Sequence, residues 1–137
     1  MLVPGIRLYF ENAVGRVLEH PDGYALIQYH SGPREMPLLQ AFLTHTGQLM
    51  QLRGWHRLLS DHRVMRPFTP DESAWILSYW LSRQTEGGGV ITGAGVFPAE
   101  QVARMPAEHV EQDAHRPGLV FRMFADENQA ATWLLQR

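Results

Sequence analysis

Leu58 and Leu59 stand side by side in the strand-length segment 56–61, with no alternation around them. Two adjacent large aliphatics in a strand-length run point to opposite faces of a sheet, so both faces must be covered. A central strand with helices over it is the arrangement this demands. Directly downstream, Thr69-Pro70-Asp71-Glu72 supplies a capping hydroxyl, proline at the first helical position, two acids in the first turn and a glutamate three residues after the cap. A helix is expected from there up to Gly87-Gly88-Gly89. It carries Ala74, Trp75, Ile76, Leu77, Tyr79, Trp80 and Leu81, an apolar surface wider than one stripe.

The segment before this core strand has two different periods. Residues 6–10 alternate, with Ile6, Leu8 and Phe10 on one face and Arg7 and Tyr9 on the other. Strands are also expected over 13–19 and 24–30, joined by Pro21-Asp22-Gly23, which gives an antiparallel meander. From Met36 the period changes to about 3.6. Leu39, Phe42, Leu43, Leu49 and Met50 share a helical face, and Gly54 is placed to end the helix.

Beyond the glycines, 90–97 reads as a strand with Gly93 and Gly95 bare on one face, inviting a helix or a crossing strand to approach. One or two helical turns are expected over 98–105, a polar surface loop over 106–117 and a strand over 120–124. Asp126, with Gln129 three residues on, caps a last helix bearing Ala130, Trp133 and Leu134. The expectation is a single α/β domain over 1–137. Its mixed sheet opens with an antiparallel N-terminal meander and continues with parallel strands and crossover helices.

These 137 residues contain no cysteine, which removes disulfides and thiolate chemistry and suits a reducing cytoplasm. The segment 1–12 has no basic region leading into an apolar core. No stretch approaches the roughly 18 apolar residues that span a bilayer. A cytoplasmic protein with no stable membrane insertion is expected. Twelve basic against fourteen acidic residues leave no excess to bind a phosphate backbone, so nucleic acid is not an expected partner.

No catalytic constellation can be assembled from spacing. In Ser60-Asp61-His62, consecutive residues face opposite ways, and a triad is a matter of geometry between distant positions. Asp61, His62 and Arg63 do stand where a core strand ends, the place where ligands gather in open α/β sheets. The structural alternative is that Asp61 binds loop amides while Arg63 pairs with an acid. Seven histidines include no HExxH motif and no pair at i, i+4, so no metal site is expected. Gly87-Gly88-Gly89 lacks the Lys-Ser/Thr of a phosphate loop, and Gly93-Ala94-Gly95 lacks the third glycine of a dinucleotide fingerprint. No cofactor is expected. Trp75, Tyr79 and Trp80 are either core, as aromatic residues at helical spacing usually are, or an exposed face for a partner or ligand.

The meander followed by α/β units resembles the STAS (anti-sigma-factor antagonist) domains. The likeness rests on Leu58-Leu59-Ser60-Asp61, on the helix entered through Thr69-Pro70-Asp71-Glu72 with Trp75 on it, and on the closing Val120-Phe121-Arg122-Met123-Phe124-Ala125-Asp126 with Ala130 and Trp133-Leu134. It looks most like the small bacterial STAS-like proteins that also resemble CRAL-TRIO lipid-transfer domains. That resemblance implies a non-enzymatic regulatory or protein-interaction module. The phosphorylatable serine of the antagonists lies in an Asp-Ser-Ser/Thr-Gly context that is absent here, so neither Thr69 nor Ser73 inherits that role.

Two functions from different classes follow. A protein-interaction module would use Asp61, His62, Arg63, Thr69 and Ser73 with the helix after them. A carrier of a small apolar ligand or lipid would use Trp75, Trp80, Phe42 and Met50 around a cavity of several hundred Å³ between helices and sheet. An enzyme of undefined class ranks third. A homodimer is expected only where the edge strand or the aromatic helix stands open.

Overall fold

The computed structural model describes residues 4–87, 89–104, 112–116 and 118–137, with the backbone alone at 84–87, 104 and 112–116. Three strands, β1 (Arg7–Glu11), β2 (Gly15–His20) and β3 (Tyr24–Tyr29), lead into helix α1 (Met36–Arg53). Strand β4 (Arg57–Asp61), helix α2 (Pro70–Gly87), strand β5 (Ile91–Val96) and helix α3 (Ala99–Arg104) follow. The chain closes with β6 (Gln112–Arg116), β7 (Leu119–Phe124) and α4 (Glu127–Leu135). One sheet takes all seven strands in the order β1-β2-β3-β4-β5-β7-β6. The first two pairings are antiparallel, β3, β4, β5 and β7 run parallel, and β6 returns antiparallel along β7. The expected α/β class, with meander first and parallel units second, is the one observed.

Both faces of the sheet are buried, as Leu58-Leu59 requires. Leu58 joins Ala25, Ile27, Leu39, Phe42, Leu43 and Trp80 in one apolar cluster under α1 and α2. Leu59 joins Leu26, Val96, Phe124, Ala130 and Leu134 in the other, under α4. At about 25 cal/mol per Å² of buried apolar surface, each fully covered leucine contributes on the order of 2 kcal/mol. Ladder hydrogen bonds add register.

Local signals set the helix ends. At α2, Glu72 N donates to Thr69 Oγ1 at 3.1 Å while Thr69 N donates to Glu72 Oε1 at 2.9 Å, a reciprocal capping box. Asp126 Oδ1 accepts from Asn128 N at 2.6 Å and Gln129 N at 3.4 Å at the start of α4. Helix α1 ends on Gly54 with φ 71°, and Trp55 N reaches back to Met50 O at 2.8 Å. That six-to-one closure carries the chain out of the helix with Trp55 and Met50 brought together.

Three expectations are corrected. The alternation read over 6–10 is broken by a bulge between Leu8 and Phe10, so Tyr9 and Phe10 both pack on the α1 side while Leu8 is 55% exposed. Within the segment read as the loop 106–117, residues Gln112–Arg116 form β6; the polar sequence hid it because an edge strand can be held by main-chain pairing to one neighbour. Residues 106–111 and 117, together with Met105 and Gly88, lie outside the described residues. Gly93 and Gly95 admit neither a helix nor a crossing strand. Side chains of the neighbouring strand, Phe121 and Met123, lie over them where a Cβ would stand.

Candidate functional site

At the carboxyl end of β4, the pleat separates the three residues that suggest a triad. Ser60 and His62 are two apart, and Ser60 Oγ lies 2.7 Å from His62 Nε2. Asp61 is turned to the other side, where its carboxylate accepts from Arg63 N at 3.0 Å, Arg63 Nε at 3.0 Å and Arg63 Nη2 at 2.7 Å. Arg63 continues to Glu127 Oε1 at 2.8 Å, tying the end of β4 to α4. Asp61 therefore orients Arg63 and not the imidazole.

Ser60 and His62 are both buried, and the imidazole meets Tyr29 and Phe68 edge-on with centroids 5.2 and 5.6 Å away. Burial lowers the His62 pKa to about 4; the Asp61 charge opposes that shift and Arg34 adds to it. A neutral ring enclosed by aromatic neighbours can hold a serine hydroxyl in place.

Arg34, in the loop before α1, organises the segment 62–68. Its Nε and Nη2 donate to Glu72 Oε2 and Oε1 at 3.0 and 2.9 Å, Nη1 donates to Arg66 O at 2.9 Å and Nη2 to Pro67 O at 3.0 Å. The guanidinium also stands 5.0 Å from the centre of the Phe68 ring. Side chains of this ion pair are only 4% and 8% exposed, and the hydrogen bond from Arg34 holds Glu72 below its ordinary pKa. A planar fork with several donors suits a site where two carbonyls and a carboxylate converge. Thr69 is used as the cap of α2, and Ser73 stands exposed in its first turn.

Along α2, Trp80 is buried, whereas Trp75 and Tyr79 are half-buried. Trp75 stacks on Tyr79 with centroids 5.2 Å apart, and Tyr79 meets Trp80 edge-on at 5.0 Å. All three pack against the α1 side of the core. Gly47 is what lets the helices close: a Cβ there would strike the Tyr79 hydroxyl. Arg83 spans the same gap, its Nη2 donating to Gly47 O at 2.9 Å and Gln51 Oε1 at 3.2 Å.

Past this contact α1 and α2 leave a groove of about 730 Å³ against the first residues of β4 and β5. Met50, Trp55, His56, Trp80, Arg83 and Ile91 line it. Of the residues expected around a ligand cavity, Trp80 and Met50 are on its wall. Phe42 is instead fully buried in the core, and Trp75 does not reach the groove. A smaller hollow of about 230 Å³ adjoins it across Trp55, between Arg7, Glu19, His20 and Arg53. Both concavities lie at the amino ends of β3, β4 and β5, opposite to Asp61, His62 and Arg63. Trp55, His56 and Arg83 were not among the expected site residues. One signal for them is local: a tryptophan directly after a helix-ending glycine is placed by the Gly54 closure beside Met50.

Among the described residues no three His, Asp or Glu side chains cluster as a metal site. No described helix is long and apolar enough to cross a membrane. Comparison with family models, with curated proteins and with solved structures finds no match, so the groove and the stapled loop stand on their own geometry.

Proposed function

We propose that the chain is a non-enzymatic binding module of STAS-like type whose working surface is the groove between α1, α2 and the amino ends of β4 and β5, and that it carries a small apolar ligand there. The observation behind this reading is the groove itself, about 730 Å³ with Met50, Trp55, Trp80 and Ile91 on its walls. That volume is within the range of small-molecule sites, and the lining mixes aromatic and aliphatic surface with a few polar groups, as such sites do. Trp80 and Trp55 give the test a built-in reporter. Titration with the neutral fluorophore N-phenyl-1-naphthylamine is expected to be saturable at one site and to alter tryptophan emission, and native mass spectrometry should show a stoichiometric adduct. A linear, unsaturable titration with only the bare chain in the mass spectrum would remove the reading.

A second reading is favoured by the loop 62–68. Arg34 holds its backbone in one arrangement, and Val64 projects from it 64% exposed. An ordered loop presenting an apolar residue beside Arg63, Thr69 and Ser73 suits a protein partner, because little ordering entropy is lost on docking. Cross-linking in the source cells should then trap a discrete partner that Val64→Asp releases. Identical cross-link patterns for the two proteins would dismiss this surface.

A further inference from the structure

The hollow beside the groove changes what kind of ligand the groove can select. Trp55 lines both concavities, so an apolar body lying on Trp55 and Trp80 is one side chain away from the hollow that holds Arg7 and Arg53. Among the described lining residues of the two there are three guanidinium groups, on Arg7, Arg53 and Arg83, and a single carboxylate, on Glu19. The Asp22 carboxylate lies beside the hollow, 3.8 Å from His20 Nδ1, so three guanidinium groups face two carboxylates there, against a formal charge of -2 for the whole chain. Glu19 is already engaged by Arg53 Nε at 2.8 Å, and Arg83 spends one nitrogen on Gly47 O and Gln51. Arg7 is exposed and makes no ion pair among the described residues.

We infer that the ligand is an amphipathic organic anion, its apolar body in the groove on Trp80, Trp55 and Met50 and its carboxylate, sulfonate or phosphate head in the adjoining hollow against Arg7 and Arg53. The inference rests on the groove being a ligand site. Charge complementarity supports it: a neutral ligand would leave the positive field of the hollow unused, and a cationic one would be repelled by it. A fork-shaped guanidinium on a half-exposed rim suits a planar oxyanion, because it offers parallel donors without requiring the charge to be fully desolvated.

A matched pair of probes separates the two claims. 1-Anilinonaphthalene-8-sulfonate and N-phenyl-1-naphthylamine share an aromatic frame and differ by the sulfonate. At low salt the anionic probe is expected to bind at least about threefold more tightly, and the preference should shrink on raising ionic strength, since a rim charge is screened. Arg7→Gln with Arg53→Gln should abolish the preference while the neutral probe stays within about twofold of wild type. Arg16→Gln, the same charge change at the other end of β2, should leave both affinities unaltered. Because Arg53→Gln strips Glu19 of its partner, Arg7→Gln alone is measured beside the double variant, with melting temperatures for each. Equal affinity of wild type for the two probes, or a preference that survives both Arg7→Gln and the double variant, overturns the inference and leaves the apolar groove intact. No saturable binding of either probe overturns the groove reading and this inference together.

Discussion

His62 has its proton chemistry set by position. It packs against Tyr29, Phe68 and Ser60, and burial takes its pKa from 6.5 to about 4. A histidine with a lowered folded-state pKa binds fewer protons folded than unfolded. Its contribution is therefore complete above pH 6.5 and is lost as pH falls from 6.5 towards 4. At about 1.36 kcal/mol per unit, the loss over that window approaches about 3 kcal/mol. Urea unfolding at pH 7, 5.5 and 4.5 should follow that slope in wild type. His62→Gln keeps a hydrogen-bonding partner for Ser60 and titrates nothing, so its profile should be flatter. His20 is also lowered, chiefly by burial, and contributes the same sign in both proteins. Overlapping profiles would show that His62 is not the group responsible. Glu72 acts in a separate window: its carboxyl is held low by Arg34, so that stabilisation persists down to its ordinary value of 4.5 and disappears only as pH drops through the lowered one.

Among the elements, the α1–α2 contact decides whether the groove exists. Gly47 lies in the middle of α1, where glycine costs about 1 kcal/mol relative to alanine, and helix propensity alone would favour replacing it. A Cβ there would meet the Tyr79 hydroxyl and stand 3.0 Å from Arg83 Nε. Overpacking of this kind costs about 1–3 kcal/mol. Gly47→Ala should therefore be net destabilising by about 1 kcal/mol in a urea melt and should weaken groove binding, and adding Tyr79→Phe should recover part of the loss. A stabilised Gly47→Ala protein would show that the helices have slack. Element boundaries were legible wherever a hydrogen bond closes within a few residues: the Thr69–Glu72 box, the Asp126 cap, the turn at Gly54. They were not legible in β6, whose Gln112–Arg116 pairs with β7 through main-chain groups any sequence has, nor at the β1 bulge, where one extra residue reverses which side chains face the helices.

At the scale of the molecule, β3, β4, β5 and β7 advance across the sheet in one direction, and crossovers of one hand along such a series fall on the same face. Helices α1 and α2 thus share one cluster and α4 closes the other. Within that parallel run the strand order never reverses, so the switch point at which ligands of doubly wound sheets gather is not formed between β3, β4, β5 and β7. The Arg34 staple and the buried Ser60–His62 pair occupy the carboxyl end of these strands instead. At that end Asp61 holds Arg63, and Arg63 reaches Glu127, the structural arrangement expected of an aspartate on loop amides and an arginine on an acid. The sequence by itself determined the kind of every element except β6, three of the helix caps and the two-sided burial of β4, because those follow from periodicity and from bonds spanning a few residues. Only the tertiary structure decided that Arg34 meets Glu72 across 38 positions, that Gly47 lies under Tyr79, and that Trp55, Trp80 and Arg83 line one groove. A cavity is the space left between elements distant in the chain, and no local period encodes its place.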